Sequence, residues 1–188
     1  MKKLLLTGFE PFLDNAENPT APLARAFDGK TVGGYKITSR VLPVSFKKTP
    51  LELSKALLDV RPDAVLCLGL ASDRSHITPE LVAINYYHSQ EEDNDGEIIL
   101  EKVLCDEGPP AYFSTLPARK MSQAISQLGI PCKVSTTAGT YVCNQTMYQL
   151  AKRLESFEKK VPWGFIHIPN NLSQEVLTKA IQKAIETI

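Results

Sequence analysis

Residues 64–69 read Ala-Val-Leu-Cys-Leu-Gly, an apolar run with no polar side chain on either face. Such a run is typical of a central strand in a parallel sheet that is covered on both faces. Residues 2–7 and 163–168 form similar runs near the two ends of the chain. Amphipathic stretches separate these runs, and strands that alternate with helices predict an α/β sandwich with a mainly parallel sheet.

Further strands and helices are predicted around these three runs. The strands cover residues 35–44, 81–85, 97–100 and 133–135, and the helices cover residues 19–27, 50–60, 117–128, 143–157 and 174–188. Asn18, Thr49 and Ser173 are predicted N-caps, because their side-chain oxygens can accept hydrogen bonds from the first helical turn. Thr49 and Glu52 also have the spacing of a capping box.

Composition and charge limit the class of protein. The 188 residues are 43% hydrophobic and 22% charged, which suits one globular domain. The chain has 21 basic and 21 acidic residues, and this balance argues against nucleic acid or an anionic membrane as a partner. The N-terminal apolar run stops at Thr7-Gly8, too early for a secretory signal. No two of the four cysteines have C-x-x-C spacing, which argues against zinc. Because the sequence shows no secretory signal and is large enough not to need disulfides, we expect free thiols in a reducing cytoplasm.

Several polar segments follow the predicted strands directly. Residues 8–12 follow the first strand, residues 69–74 follow the central strand, residues 136–143 follow a short strand, and His167 lies near the end of the last strand. Sites in open parallel sheets lie at the carboxyl ends of the strands. We therefore expect these segments to converge at one edge of the sheet.

Cys143 is predicted to lie in the first turn of a helix, after a polar run that contains Gly139 and Thr140. Unpaired N–H groups and the helix dipole favour negative charge there. A thiol in that position is expected to ionise more easily, and the thiolate is the nucleophile. The same N–H groups can hold an oxyanion during acyl transfer. The alternative is that Cys143 is a small buried hydrophobe.

A thiol nucleophile needs a base, usually an imidazole, and the base needs an acceptor that orients it. His167 is a candidate base at a strand end, or else a core histidine between Ile166 and Ile168. Glu80 is a candidate orienting carboxylate at the start of an apolar strand, or else an exposed residue at strand entry. His76 and His88 lie in polar loop sequence and are expected at the surface.

Six motifs extend along nearly the whole chain: LLLTGFEPF at residues 4–12 with Asn18-Pro19, PELVAIN at 79–85, GPPAYFSTLP at 108–117, GIP at 129–131, TAGTYVCNQTMY at 137–148 and GFIHIP at 164–169. In this order and spacing they resemble the pyrrolidone carboxyl peptidases, also called pyroglutamyl peptidases I. Several separate motifs in one order are a more specific signal than a single short pattern.

The resemblance implies a cysteine peptidase with a Glu, Cys, His triad in that chain order, which matches Glu80, Cys143 and His167. It implies a three-layer α/β/α sandwich with a mainly parallel twisted central sheet, in a single domain over residues 1–188. It also implies no metal or organic cofactor, and a homotetramer. Members of the family remove an N-terminal pyroglutamyl residue from peptides through a thioacyl intermediate, so peptides with this residue are the expected partners.

The substrate ring implied by the resemblance is neutral and has no free amine. Its site therefore needs flat apolar walls and a few backbone hydrogen bonds. Phe9 and Phe12 match family residues that pack on the ring, and Tyr141 stands where the family usually has phenylalanine. Judged from the residues alone, core packing of Phe9 and Phe12 is the alternative.

The chain departs from the family pattern after Asn85. Gln90 stands where the family has an arginine near the site, and an uncharged amide gives weaker support to an oxyanion than a guanidinium. Arg74 matches a second family arginine and is expected to compensate. Asp73 replaces a glycine. Leu81 and Thr136 replace a usual arginine and a common asparagine, respectively.

Three hypotheses follow from the sequence. The first is an active pyroglutamyl peptidase. The second is a related thiol amidohydrolase with altered specificity, motivated by the changed segment 86–96. The third is a non-catalytic protein that binds pyroglutamyl peptides, motivated by Gln90 and Asp73. A nucleoside-binding protein of similar fold is disfavoured, since no phosphate-binding loop is present.

Overall fold

The computed structural model describes residues 1–12 and 17–188 of the chain. Within these ranges the strands are β1 (Lys2–Phe9), β2 (Thr31–Val32), β3 (Tyr35–Leu42), β4 (Ala64–Leu70), β5 (Thr78–Pro79), β6 (Val82–Ile84), β7 (Tyr87–Ser89), β8 (Ile99–Lys102), β9 (Ala111–Phe113) and β10 (Trp163–Ile168). The helices are α1 (Thr20–Ala26), α2 (Lys48–Val60), α3 (Ala118–Ser126), α4 (Val142–Leu154) and α5 (Gln174–Ile185). No helix in the described ranges has the length and apolar character needed to span a bilayer.

Six of the strands form the central sheet, in the order β2-β3-β1-β4-β10-β5. Strands β3, β1, β4 and β10 are parallel, whereas β2 and β5 pair antiparallel at the two edges. Every residue of β4 and β10 is buried, as their apolar sequences predict for central parallel strands. The predicted mainly parallel sheet is confirmed.

Helices cover both faces of this sheet. Helices α1, α3 and α5 pack on the face that carries Leu4 and Leu6 of β1, and α2 and α4 pack on the face that carries Leu5 and Phe9. Successive β1 side chains thus enter two different apolar clusters, which is the two-residue period of a strand. The fold is the predicted three-layer α/β/α sandwich.

Ser173 is the N-cap of α5, as predicted, whereas the N-cap of α1 is Pro19 and Asn18 lies one residue before it. Asn18 Oδ1 accepts a hydrogen bond from Thr20 N at the start of α1 (3.1 Å). Ser173 Oγ accepts one from Val176 N at the start of α5 (3.4 Å). In both helices a short polar side chain satisfies a first-turn N–H group, as the sequence predicts.

The predicted capping box at Thr49 is wrong. Helix α2 already begins at Lys48, and Ser45 Oγ accepts a hydrogen bond from Lys48 N (3.0 Å). The buried Thr49 hydroxyl instead donates to Pro43 O (2.7 Å) and accepts from Ser45 N (3.2 Å). The loop before the helix therefore determines the cap, and the loop's path is not visible in the local sequence.

Residues 133–135 do not form the predicted strand. Single parallel bridges join Ile77 to Cys132 and Glu80 to Ser135, so the segment meets its neighbour at separate points without a continuous ladder. The other predicted elements are present, with ends that differ by a few residues. The short strands β2, β5, β7 and β9 were not predicted, because two or three residues are too few to show a period.

Two small sheets, β6 with β9 and β7 with β8, lie outside the central sheet. The Asn144 side chain of α4 attaches this region to the helix. Its Oδ1 accepts from Ile84 N (2.9 Å), and its Nδ2 donates to Ile84 O (3.0 Å) and to Tyr86 O (2.8 Å). The segment after β6 is thereby held beside the first turn of α4.

Candidate active site

The carboxyl ends of β1, β4 and β10 meet the first turn of α4 at a cavity of about 310 Å³. This is the edge at which parallel sheets place their sites. The prediction that segments 8–12, 69–74 and 136–143 converge with His167 is confirmed. Among the described residues, the cavity is lined by Phe9, Phe12, Asn18, Val44, Leu70, Ala71, Ser72, Asp73, Arg74, Ser89, Glu91, Ala138, Gly139, Tyr141, Val142, Cys143 and His167.

Cys143 is the second residue of α4 and lies in its first turn, as predicted. Tyr141, the N-cap residue of α4, has an extended backbone. Gly139, in the loop before the helix, has a φ of 76°. In the described part of the chain no side chain caps this turn, and no acidic residue lies in it. The first-turn N–H groups lack intrahelical partners, so they are available to a negatively charged oxygen in the cavity.

The sulfur of Cys143 lies directly above Gly69 of β4. A Cβ atom built on Gly69 would be 2.9 Å from Cys143 Sγ and 2.6 Å from the Phe165 ring. Gly69 pairs in parallel register with His167 of β10, and paired residues of adjacent strands point to the same face. The Cys143 thiol and the His167 imidazole therefore lie on the same face of the sheet. The ring centroids of Phe165 and His167 are 4.8 Å apart.

This close approach makes Gly69→Ala a sensitive test of the site. We expect the added methyl to displace Cys143 Sγ and the Phe165 ring, lowering the free energy of unfolding by about 1–3 kcal/mol and kcat/KM by about 10²-fold. Gly164→Ala is the control, because its Cβ would meet Leu116 and Ser114 at 3.0–3.1 Å on the opposite face. Thermal unfolding and hydrolysis rates of both variants check this. Equal losses of activity per folded molecule would contradict it.

His167 and Glu80 form a buried pair. The His167 Nδ1 atom lies 2.8 Å from Glu80 Oε1, and because an ionised carboxylate only accepts, Nδ1 carries the proton and donates it. This tautomer leaves Nε2 as the acceptor. Glu80 is fully buried, so the alternative of an exposed strand-entry residue is wrong.

Arg74 completes the surroundings of the carboxylate. Its Nη1 atom donates to Glu80 Oε1 (2.5 Å) and to the Thr78 hydroxyl, and Nη2 donates to Thr137 O (2.8 Å). The backbone of Glu80 is also held, since its N–H donates to Phe165 O (2.9 Å). Arg74 is thus committed to orienting Glu80, although it also lines the cavity. The expected compensation by Arg74 for Gln90, as a residue that binds the substrate, stays a prediction.

The surroundings of Glu80 keep it ionised. Burial by itself would raise the pKa of this carboxyl, but the hydrogen bond and charge of His167, together with Ser135 and Arg74, outweigh burial and lower the pKa below its ordinary value. An ionised Glu80 stabilises a positive charge on His167 during proton transfer. His167 is therefore a base whose imidazole is oriented by Glu80, and this is the arrangement that a thiol nucleophile needs.

The packing around Cys143 opposes the easy ionisation that the sequence predicts for its thiol. Burial and, to a smaller extent, the negative charge of Glu80 raise the pKa of the Cys143 thiol to about 12, although Arg74 acts to lower it. The Gly69 backbone and the Phe165 ring lie against one side of the sulfur and help to bury it. The resting thiol is therefore neutral and needs a base at the moment of attack.

The predicted aromatic residues form one wall of the cavity. Phe9 is buried and Phe12 is half-buried, and both line the cavity with Tyr141. The Tyr141 ring packs edge-on against Phe46 (5.3 Å between centroids), and its hydroxyl donates to Glu92 O (2.9 Å). Phe9 thus packs in the core and also faces the cavity, so the two interpretations of this residue are compatible.

Gln90 is not brought to the cavity. Ser89, the last residue of β7, is buried and lines the cavity, while Gln90 is exposed and Glu91 again lines the cavity. Gln90 lies in a bend after β7, in which Ser89 Oγ accepts from Glu91 N (3.0 Å), and its side chain is on the outside of that bend. The prediction that Gln90 lies near the site and supports an oxyanion is therefore wrong. In this conformation Gln90 cannot replace the family arginine.

Sequence reasoning missed several residues that shape the site. Gln145 Nε2 donates to Phe46 O (2.9 Å) behind the aromatic wall. Asp93 is buried and accepts hydrogen bonds from the N–H groups of Phe46 (2.7 Å), Asp95 (2.9 Å) and Glu97 (2.9 Å). Polar residues buried next to the predicted nucleophile are the signal that could have identified Gln145 and Asn144.

Other candidate chemistry is limited. His76 and His88 are half-buried rather than fully at the surface, and neither lines the cavity. Within the described ranges, no group of three or more His, Cys, Asp or Glu side chains is placed to hold a metal ion. The cavity with Cys143, His167 and Glu80 is therefore the candidate active site.

Known proteins resemble this chain over nearly its whole length. A family model described as "Pyroglutamyl peptidase" matches residues 2–186. The pyrrolidone-carboxylate peptidase of Oceanobacillus iheyensis is 41% identical over 194 residues, covering 99% of this chain and 96% of that protein. That of Halalkalibacterium halodurans is 44% identical over 167 residues, covering 88% of this chain and 83% of that protein.

Solved structures extend the likeness to three dimensions. Pyroglutamyl peptidase I of Bacillus amyloliquefaciens has a TM-score of 0.95 at 36% identity, covering 100% of this chain and 96% of that chain. Pyrrolidone carboxyl peptidase of Thermococcus litoralis also has a TM-score of 0.95 at 36% identity, covering 100% of this chain and 93% of that chain. The chain belongs to the pyroglutamyl peptidase family.

Proposed function

We propose that this chain is a cysteine peptidase that removes an N-terminal pyroglutamyl residue from peptides. The observation that carries the proposal is the buried Glu80–His167 pair, 2.8 Å between Oε1 and Nδ1, on the same face of the sheet as the Cys143 thiol. The relatives named above bear the corresponding activity in their names. Glu80, Cys143 and His167 are the proposed triad.

The proposed reaction begins with a neutral thiol. His167 Nε2 takes the Cys143 proton as Sγ attacks the carbonyl carbon that joins the pyroglutamyl residue to the peptide. First-turn N–H groups of α4 stabilise the resulting oxyanion. When the C–N bond breaks, His167 gives the proton to the leaving amine, and a thioester remains on Cys143.

The second half of the reaction uses the same groups. A water molecule gives a proton to His167 and attacks the thioester carbonyl, and collapse of this intermediate expels the thiolate, which regains the proton from His167. Glu80 holds the imidazole in one tautomer throughout and stabilises its positive form. General acid–base catalysis of this kind contributes about 10²- to 10⁴-fold in rate.

The cavity has an apolar end that suits a neutral lactam. Phe9, Val44 and Val142 are each at most 3% exposed and line this end next to Cys143. The pyroglutamyl ring carries one N–H donor and one carbonyl acceptor, so a few hydrogen bonds suffice to orient it. We propose Phe9, Phe12 and Tyr141 as the walls that pack on the ring.

Asp73 and Glu91 give a specific reason to test the second hypothesis, a thiol amidohydrolase with altered specificity. Both carboxylates line the cavity, and a carboxylate can bind the free ammonium of an ordinary peptide N-terminus. Both are exposed residues, however, whereas the residues of the apolar end are buried. We therefore favour the lactam as the group that occupies the deep end.

Matched chromogenic amides test this function. Pyroglutamyl, prolyl and alanyl conjugates of the same amine should differ sharply, with rapid release only from the pyroglutamyl conjugate, and a thiol alkylator should stop it. Release only from the prolyl or alanyl conjugate would favour altered specificity. Tight binding of a pyroglutamyl peptide without any release would favour the binding protein and contradict the proposal.

We further propose that the protein is a homotetramer in the cytoplasm. Exposed apolar side chains on and beside the small sheets support self-association; Phe113 is 70% exposed and Leu100 is 52% exposed. All four cysteines are free, which suits a reducing compartment. The net charge of zero gives no support for nucleic acid or membrane as a partner. Sedimentation analysis that finds only monomers would exclude the tetramer.

A further inference from the structure

The open side of the cavity carries two carboxylates from different parts of the fold. Asp73 lies in the loop after β4, and Glu91 follows β7 in the segment that departs from the family pattern. Both line the cavity and both are exposed. The two side chains therefore contribute negative charge at the entrance while the deep end is apolar.

Nothing in the described ranges pairs with this charge. Asp73 and Glu91 form no ion pair with a described residue, and residues 13–16, Leu-Asp-Asn-Ala, contain no basic side chain. Arg74, which also lines the cavity, is bonded to Glu80. The entrance therefore carries two uncompensated negative charges.

Several other acidic groups nearby are already paired. Lys48 binds Asp95 and Lys47 binds Glu97, while Asp93 accepts from three backbone N–H groups. The charge of Glu91 does reach the cavity wall. Burial raises the pKa of Tyr141, and Asp93, Cys143 and Glu91 raise it further. Among the described residues, Asp73 and Glu91 are thus the acidic residues of the cavity lining, and both remain available to a ligand.

The chemistry of the substrate determines which part of it lies beside Asp73 and Glu91. The nitrogen of a pyroglutamyl residue is closed into its ring, so the peptide continues only from the carbonyl that Cys143 attacks. With the ring at the apolar end, the residue after the scissile bond must leave through the open side. The exposed lining there includes Ser72, Asp73 and Glu91.

We infer that Asp73 and Glu91 are specificity-determining residues that favour peptides with lysine or arginine directly after the pyroglutamyl residue. This inference rests on the proposed function and names its preferred substrate class. An exposed ion pair changes an equilibrium by at most about fivefold. We therefore expect a preference of about threefold to fivefold for each carboxylate and about tenfold for both.

Three amide-capped peptides that differ only in the second residue test the inference. The ratio of kcat/KM for pyroglutamyl-Lys over pyroglutamyl-Glu peptides should be about tenfold or more in the wild type, with the pyroglutamyl-Ala peptide between them. Asp73→Asn and Glu91→Gln should each reduce the ratio, and the double variant should bring it close to one. Glu107→Gln is the control, because it removes one exposed charge outside the cavity lining.

Salt provides a second measurement. Between about 0.01 M and about 1 M salt the Debye length falls from about 30 Å to about 3 Å, so the ratio should fall in the wild type and stay constant in the double variant. A ratio near one in the wild type, or one that the double variant leaves unchanged, would overturn the inference. If the alanine peptide is cleaved in those cases, the proposed function stands. If no pyroglutamyl peptide is cleaved, both fail.

Discussion

Cys143→Ala is expected to lower kcat/KM for a pyroglutamyl amide by about 10⁵- to 10⁶-fold, the size of loss that removal of a nucleophile causes. The variant keeps the first-turn N–H groups of α4 and the apolar end of the cavity, so it should still bind the substrate. Sγ is the only atom of this side chain that can form the thioester, and alanine removes it. Stopped and continuous assays on purified protein, with thermal unfolding as a check of folding, measure the effect.

The chain offers matched controls for this variant. Cys105 and Cys132 do not line the cavity, and Cys67 is buried in β4, where burial raises the pKa of its thiol to about 12. Cys105→Ala should retain activity within about twofold of the wild type, since it removes a thiol without changing the cavity. Substantial turnover by Cys143→Ala, or comparable loss in Cys105→Ala, would contradict the nucleophile assignment.

The neutral resting thiol adds a kinetic expectation to the same experiment. Because burial raises the pKa of Cys143, alkylation of the free enzyme should be slow for a catalytic cysteine and should accelerate as pH rises. Cys143 should nevertheless be the residue whose labelling follows loss of activity. The sequence alone predicts fast labelling, so this measurement separates the local argument from the packed structure.

The parts of the fold that were predictable are those encoded by neighbouring residues. The apolar runs of β1, β4 and β10 specify strands buried on both faces, and a parallel sheet then brings their carboxyl ends together. His167 reaches the site for this reason. The helix start at Cys143 was also local, because Gly139 and the polar run before it interrupt the strand pattern.

The missed features depend on contacts between distant segments. The cap of α2 depends on the path of the loop through Pro43 and Ser45. The outward direction of Gln90 depends on which side chain of β7 faces the core, and β7 is only three residues long. The raised pKa of Cys143 depends on Phe165, which is 22 positions away in sequence, and no local pattern reports that contact.

Glu80 shows how the two kinds of information combine. The sequence places a carboxylate at the entry to an apolar strand, where an unpaired charge is costly. Only the structure shows that Glu80 is fully buried and bonded to both His167 and Arg74. A buried carboxylate that accepts from the Arg74 guanidinium and from the His167 imidazole is stable as an ion and can orient the imidazole, which makes its replacement the second test.

Glu80→Gln is expected to lower kcat by about 10³- to 10⁴-fold with little change in KM. Loss of the orienting carboxylate in a comparable triad costs about 10⁴-fold, because the imidazole is left in the wrong tautomer. Here Arg74 Nη1 and His167 Nδ1 both contact Oε1. A glutamine oxygen at that position carries no charge to stabilise the imidazolium, and an amide N–H₂ group at that position would face Nδ1 and favour the wrong tautomer. Cys143 and the apolar end are untouched, so substrate binding should persist.

A pH series separates this role from a merely structural one. The pKa of Glu80 is lowered in the folded protein. Its ionisation therefore stabilises the fold at pH values above the ordinary pKa of 4.5, and this stabilisation is lost as the pH falls through the pKa of the folded state. Glu80→Gln should lack this part of the acid-induced loss of stability. A variant that is unstable at neutral pH but fully active when folded would indicate a structural role. A folded variant with kcat reduced and KM unchanged would identify Glu80 as the residue that positions the base.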